Sequence, residues 1–442
     1  MQKRPITFGT DGVRGVANGG LIPEDALRLG LAAARLFGGP ILIGRDTRLS
    51  GGMLSSALAA GAASGGALVI DAGILTTPGV AALAPRLGAA AAGVVSASHN
   101  PYPDNGIKFF SGEGRKLPAA KEREIESLTA DTNLERPTGS GIGAVERLDD
   151  AARQYVDGVL GRLRPRVGGI KVLLDCANGA AYEAAPMAFS ELDVDLTVAG
   201  DEPDGTNINE GCGSTHVRSL DASGHDVAFA FDGDADRVLA KDEKGNVVDG
   251  DRIIAILARD CQERGVLEGV VVVTVMSNLG FFKAMESMNI PYEVTPVGDR
   301  HVAEAMRERR AVLGGEQSGH VILSEHVTTG DGLVTALALL DVMARTGRPL
   351  SELAGVMEVY PQELINVTVA DAASAKTLAA SEVVERAVFE AEERLGDEGR
   401  ILLRPSGTEP VVRVMVEHAD GAVCREVCEE VARVVGEAEV RA

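Results

Sequence analysis

Apolar runs of strand length, PILIG from Pro40, ALVI from Ala67 and GVV from Gly93, alternate with alanine- and leucine-rich segments of helix length such as ALRLGLAAARLF and SSALAAGAAS. Alternation of this kind leaves α/β layers, with their loops gathered at strand ends, as the architecture to expect. The pattern restarts twice. DDAARQYVDGVLGRL predicts a connecting helix before IKVLLDCANGA opens a second unit, and VVVTVMSNLGFF opens a third. Beyond residue 365 the texture changes to a strand in LINVTVA, a helix in SEVVERAVFEAEERLG, two strands in GRILLRPSGTEPVVRVMVEHAD and a closing helix. The chain therefore predicts three related mixed α/β domains plus a smaller α+β C-terminal domain, with boundaries at 1–150, 151–252, 253–364 and 365–442. No fixed sequence period ties the three units together.

Composition narrows the function classes. With 442 residues, 45% hydrophobic against 24% charged, the chain is a folded globular protein of several domains. Its formal net charge of -22 argues against nucleic acid and against anionic membrane surfaces as partners. Cys176, Cys212, Cys261, Cys424 and Cys428 form no Cys-x-x-Cys pair, and buried thiols are the expectation even for Cys424 and Cys428, spaced to share a helix face. The opening MQKRPITFGTDGVRG has no long apolar stretch, so the expected setting is cytoplasmic.

Four polar clusters are the candidates for chemistry. In SASHNPYPDNG, Ser98 stands at a strand end as a candidate nucleophile, phosphate ligand or plain turn residue, with His99 and Asn100 beside it. In FDGDADR, Asp232, Asp234 and Asp236 offer an oxygen-rich cation site if the turn gathers them; Mg²⁺ is favoured, although spacing alone leaves Ca²⁺ and Mn²⁺ open. A solvated acidic loop is the plain alternative. Counting from Asp232 places Glu243 at the twelfth position of an EF-hand, but Arg237 stands at the sixth, where glycine is needed, and strand-like runs flank the turn. In RPSGTEPVVR, Arg404, Ser406, Gly407, Thr408 and Arg413 combine guanidinium forks, hydroxyls and a glycine, a set suited to a phosphate, and no Walker sequence points to a nucleotide. GEQSGH adds Glu316, Ser318 and His320 on a glycine-bracketed turn suited to sugar hydroxyls or an amine, and a capped turn explains it nearly as well. His301 and Lys108 are substrate-adjacent candidates, Lys108 for acid/base work or for neutralising phosphate.

Taken together and in this order, GTDGVRG, SASHNP, FDGDADR, GEQSGH and RPSGTEP make the chain resemble the α-D-phosphohexomutase superfamily over essentially its full length, and within it the bacterial enzymes acting on glucosamine phosphates. The resemblance implies four domains around a central cleft. It implies that Ser98 is a phosphoserine and, with Asp232, Asp234 and Asp236, a Mg²⁺ ligand, that Arg237 is a catalytic arginine and that Lys108 is a general acid/base. Glu316 and Ser318 become sugar-binding, and Arg404, Ser406, Gly407, Thr408 and Arg413 bind the remote phosphate. The implied reaction is interconversion of glucosamine 6-phosphate and glucosamine 1-phosphate through glucosamine 1,6-bisphosphate, which is both intermediate and activator, feeding UDP-N-acetylglucosamine and cell-wall precursor synthesis. A homodimer stays open. Enzymes acting on glucose or mannose phosphates would need nearly the same machinery, and a noncatalytic phosphosugar-binding protein would leave Ser98 and the aspartates without a purpose.

Overall fold

The computed structural model describes residues 5–131, 134–406 and 410–441. Two compact units emerge, one running up to Met276 and again from Met288 to Val356, the other formed by Ser277–Ser287 with the chain from Met357 onward.

The first unit holds three sheets. The first comprises β1 (Val13–Val16), β2 (Ile41–Arg45), β3 (Val69–Ile74), β4 (Ala91–Val95), β5 (Asp104–Ser111) and β6 (Val145–Arg147), in the order β1-β5-β4-β2-β3-β6. The second comprises β7 (Ile170–Asp175), β8 (Val194–Ala199), β9 (Val227–Phe231), β10 (Val238–Asp242) and β11 (Val247–Val248), in the order β11-β10-β9-β7-β8. The third comprises β12 (Val271–Thr274), β13 (Tyr292–Thr295), β14 (Leu313–Gly315) and β15 (Val321–Leu323), in the order β13-β12-β14-β15.

One four-strand arrangement recurs. β2 lies parallel between β3 and β4, β7 between β8 and β9, and β12 between β13 and β14. In each sheet the last of these then turns back antiparallel into the next strand, as β4–β5, β9–β10 and β14–β15. The relatedness that no sequence period reveals is thus a relatedness of strand order. SASHNP, FDGDADR and GEQSGH occupy the corresponding turn in the three sheets.

Small residues set the packing of the first sheet's helices. Helix Pro23–Phe37 starts on a proline, carries Glu24 and Asp25 in its first turn, and buries Ala26, Leu29, Ala32 and Ala33 as one stripe. It lies so close to helix Gly51–Ser64 that a Cβ on Gly30 would meet Leu58 O at 2.0 Å and one on Gly61 would meet Leu27 O at 2.0 Å. The alanine and glycine enrichment is therefore a close-packing requirement rather than low complexity.

The second unit has an antiparallel sheet, β16 (Gln362–Thr368), β17 (Gly399–Pro405) and β18 (Val411–His418), in the order β16-β18-β17. Val412, Val414 and Val416 of β18 meet Cys424, Cys428, Val431 and Val435 of helix Gly421–Arg441 in its core. Cys424 and Cys428 are buried thiols, as their helical spacing suggested. Among the described residues no helix is long and apolar enough to cross a membrane.

Candidate active site

Ser98 sits in the β4–β5 turn with a left-handed backbone, φ 52°, and is 2% exposed. Its hydroxyl donates to Asp232 Oδ2 at 2.6 Å, across the boundary between the first and second sheets. Left-handed φ in a residue other than glycine costs energy and persists only where neighbours enforce it. The turn of the second sheet is pressed against this loop: a Cβ on Gly233 would lie 2.5 Å from Ser98 O, so only glycine lets FDGDADR approach.

Asp232, Asp234 and Asp236 are all buried, and their carboxylate oxygens lie within 4.8 Å of one another. Strands β9 and β10 flank the turn, which agrees with rejecting an EF-hand, and Glu243 instead accepts hydrogen bonds from Ser351. Burial, with the charges of Asp236 and Asp234, pushes the Asp232 carboxyl up to about 8. Asp236 is held well below the usual range: burial alone would raise it, but Lys108, His320 and Arg237 outweigh that. Asp234 Oδ2 accepts from Lys108 Nζ at 2.7 Å and Thr77 Oγ1 at 2.5 Å, while Asp234 Oδ1 and Asp236 Oδ1 are buried and accept no hydrogen bond. Buried carboxylate oxygens left without donors, in an all-oxygen cluster, fit a hard divalent cation. The triad fits a metal site.

Cations surround the triad. Lys108, on β5, lies 2.7 Å from Asp234, 3.5 Å from Asp236 and 3.6 Å from Asp11. Burial would lower its pKa, but these three carboxylates hold the ammonium well above its usual value. Arg237 Nη1 is 3.3 Å from His99 Nδ1, and its backbone N donates to Asp232 Oδ1 at 3.2 Å. Burial followed by the charges of Arg237 and Arg14 pushes His99 down to about 4, so its ring is neutral near pH 7. Asn100 donates to Asp104 Oδ2 at 2.9 Å, a contact internal to the loop.

The sequence reading missed the next layer of charge. Asp11 takes Lys116 Nζ at 2.6 Å and also pairs with Arg14; Lys116 pairs in turn with Asp299 of the third sheet's domain. His320, 2% exposed, lies between Asp236 at 3.7 Å and Asp299 at 3.9 Å. The Gly330 N–H donates to its Nε2 at 3.1 Å, which assigns the ring proton to Nδ1, facing Asp236. Glu316 accepts from Gly298 N at 3.1 Å and contributes to the field at Arg237. Ser318 and His301 are exposed, and neither is brought into the aspartate cluster. Asp11 and Arg14 stand inside the GTDGVRG motif, which was the available signal for them.

In the second unit, Arg404 and Arg413 are directly opposed across β17 and β18. Burial and then the charge of Arg413 lower the Arg404 pKa, the signature of a place where an anion would be welcome. Ser406 is buried at the start of the connecting turn, where its N–H donates to Val411 O at 2.9 Å. Gly407 and Thr408 lie outside the described residues.

Comparison with known proteins supplies the family. Residues 5–136, 153–245 and 249–360 match phosphoglucomutase/phosphomannomutase α/β/α domains I, II and III, and residues 364–434 match the C-terminal domain of the same proteins. A curated phosphoglucosamine mutase from Rubrobacter xylanophilus is 72% identical over 434 residues, covering 98% of each chain. The chain belongs to the phosphoglucomutase/phosphomannomutase family. Among solved structures, a phosphoglucomutase/phosphomannomutase family protein from Burkholderia thailandensis is similar at TM-score 0.84 and 25% identity, with 99% of this chain and 98% of that one covered. The N-acetylphosphoglucosamine mutase of Aspergillus fumigatus, solved with GlcNAc-6P and magnesium, shares the fold at TM-score 0.72 and 19% identity, over 99% and 96% of the two chains. This phosphohexomutase family thus accounts for the three repeated sheets and the smaller C-terminal domain in one chain.

Proposed function

We propose that the chain is an isomerase that interconverts glucosamine 6-phosphate and glucosamine 1-phosphate, with Ser98 carrying the phosphoryl group. The observation that carries this reading is the 2.6 Å contact between the Ser98 hydroxyl and the buried Asp232 carboxylate, beside two aspartate oxygens that no donor satisfies. The 72% identity to a phosphoglucosamine mutase supports the amino sugar as substrate.

Phosphorylated Ser98 gives its phosphoryl group to the free hydroxyl of the sugar phosphate, breaking the Oγ–P bond and forming glucosamine 1,6-bisphosphate, while the proton that the hydroxyl loses ends on Ser98 Oγ. The other phosphate of that intermediate then returns to Ser98 Oγ. Asp232, Asp234 and Asp236 would hold Mg²⁺, which when bound supplies charge stabilisation for the transferring group. Lys108, kept protonated by Asp11, Asp234 and Asp236, serves as a fixed positive charge beside the transferring group rather than as a base near neutral pH. Arg237 faces the same oxygens through Asp232 and Asp236. Arg404, Ser406, Gly407, Thr408 and Arg413 are assigned to the remote phosphate, and Glu316 with Ser318 to the sugar. Domain boundaries at 150/151, 252/253 and 364/365 belong to the same proposal, supported by family segments that begin at 153, 249 and 364. So do a cytoplasmic setting and a homodimer, open to cell fractionation and sedimentation.

Turnover of glucosamine 1-phosphate, glucose 1-phosphate and mannose 1-phosphate, compared with Mg²⁺ and catalytic bisphosphate, tests the reading. Glucosamine 1-phosphate is expected to be preferred, and Ser98→Ala should abolish its turnover without unfolding the protein. Preference for a neutral sugar would overturn the substrate assignment, and normal turnover by Ser98→Ala would overturn the phosphoserine.

A further inference from the structure

A serine in left-handed backbone at a turn tip needs something to hold it there, and the turn has no glycine at that position to relieve the strain. Four hydrogen bonds close a ring around the Ser98 backbone. Ser98 N donates to Ser96 Oγ at 2.9 Å, Ser96 Oγ donates to Asp46 Oδ2 at 2.6 Å, Arg48 Nε donates to the same carboxylate oxygen at 2.8 Å, and Arg48 Nη2 returns to Ser98 O at 2.7 Å. The rest of the guanidinium is committed to the same loop. Nη1 donates to Pro101 O at 2.6 Å and Asp104 O at 3.1 Å, and Nη2 also donates to Asn100 O at 2.8 Å.

Arg48 and Asp46 have no side-chain exposure. Neither touches the aspartate triad, so neither can bind a cation there or move the transferring group. What the pair offers is geometry: a planar fork with donors fixed in direction, reaching four carbonyls of one short loop, a pattern that a lysine's single ammonium cannot reproduce. Asn209 Nδ2 adds a second grip on Ser98 O at 3.0 Å and on Asn100 O at 3.2 Å. The peptide group before Ser98 Cα is tied to Ser96 at the start of the turn and the one after it to Arg48 and Asn209 outside the turn, and the remaining freedom is that of Oγ itself.

We propose that Arg48, with Asp46 and Ser96, is the positioning device that holds Ser98 in its left-handed conformation with Oγ aimed at Asp232, and that it sets the rate of phosphoryl transfer rather than the affinity for sugar. This rests on the reading of Ser98 as phosphoryl carrier. A core ion pair with no further role would change stability alone; a positioning pair changes kcat while KM stays put.

The test compares full-length wild type with Arg48→Lys, Ser96→Ala and Ser98→Ala, reading kcat and KM for glucosamine 1-phosphate. It also follows the rate at which Ser98 gains phosphate from glucosamine 1,6-bisphosphate, seen by intact mass as an increment of about 80 Da. Arg48→Lys is expected to lower kcat and the loading rate about 100-fold and Ser96→Ala about 10-fold, with KM within about 2-fold of wild type. Wild-type kcat and loading in both variants, or a raised KM with kcat unchanged, would overturn the inference. Should Arg48→Lys fail to fold, Ser96→Ala decides, because it opens the ring without removing a charge. A wild type that never acquires phosphate, together with an active Ser98→Ala, would remove the Ser98 reading and this inference with it. A phosphorylated wild type with unaffected variants removes this inference alone.

Discussion

Asp331 shows what burial does to a single carboxylate that has donors but no cation in contact. It caps helix Gly332–Thr346, accepting from Val334 N at 3.0 Å, and both its oxygens lie 2.8 Å from the Tyr155 hydroxyl. Burial outweighs these hydrogen bonds and pushes its carboxyl up to about 6. The folded protein therefore holds this proton more tightly than the unfolded chain does. Its contribution to stability is fully present below the unfolded value of about 3.9 and is lost as pH rises to about 6, a swing of roughly 2–3 kcal/mol. Asp331→Asn should remove that swing. Urea unfolding of both proteins at pH 4.5 and pH 7 checks it: the variant is expected to gain on wild type between the two pH values, and an unchanged difference would mean that Asp331 ionises normally. His99 behaves in the opposite sense. With its pKa pushed down to about 4, its ring is neutral at the pH near 6 where Asp331 titrates in the folded protein.

A β-hairpin that places two arginines face to face invites the matching question about an element. Arg404 and Arg413 share one face of the β17–β18 pair, and burial, with the charge of Arg413 second, already depresses Arg404. Like charges directly opposed cost a few tenths of a kcal/mol up to about 1. Arg404→Ala is expected to leave the C-terminal unit as stable as wild type or more so, while the proposed phosphate role predicts a KM for glucosamine 1-phosphate raised about 10-fold or more. Thermal melts and steady-state kinetics on one preparation check both halves, and a destabilised variant with unchanged KM would contradict both. This hairpin was legible because its chemistry is local: two apolar runs around a polar turn fix the register that opposes the arginines. The Ser98 and aspartate turns were legible for the same reason, each being a contiguous motif at a strand end. Lys116 and Asp299 were not, since each is one charged residue in ordinary surroundings; Asp11 lies in a motif, but its partner Lys116 stands 105 residues away and the two meet only once the sheets are built. Ser318 illustrates the converse, a motif residue that the fold leaves exposed.

At the scale of the whole chain, three sheets with one strand order each offer a hairpin turn, and each turn presents different side chains: a hydroxyl, carboxylates, and a glutamate with a histidine. The C-terminal unit is built differently, because it borrows a segment. Residues 277–287 leave the third sheet's domain and join it, with Asn278 Nδ2 and Leu279 N donating to Glu417 at 3.1 Å and 2.8 Å beside Arg400 Nε at 2.6 Å. Glu417 is completely buried, and burial pushes its carboxyl up despite these donors. A fragment of residues 357–442 alone would keep the buried carboxylate and Arg400 but lose Asn278 and Leu279. Stripping partners from a buried charge costs up to roughly 3–5 kcal/mol, comparable with the whole stability of a domain this small. The isolated fragment is therefore expected to melt without a cooperative transition, whereas the same fragment joined to residues 277–287 through a flexible linker should melt cooperatively. Far-ultraviolet circular dichroism on the two proteins decides it. Equal, cooperative melting would mean that the borrowed segment is carried by the C-terminal unit rather than holding it together.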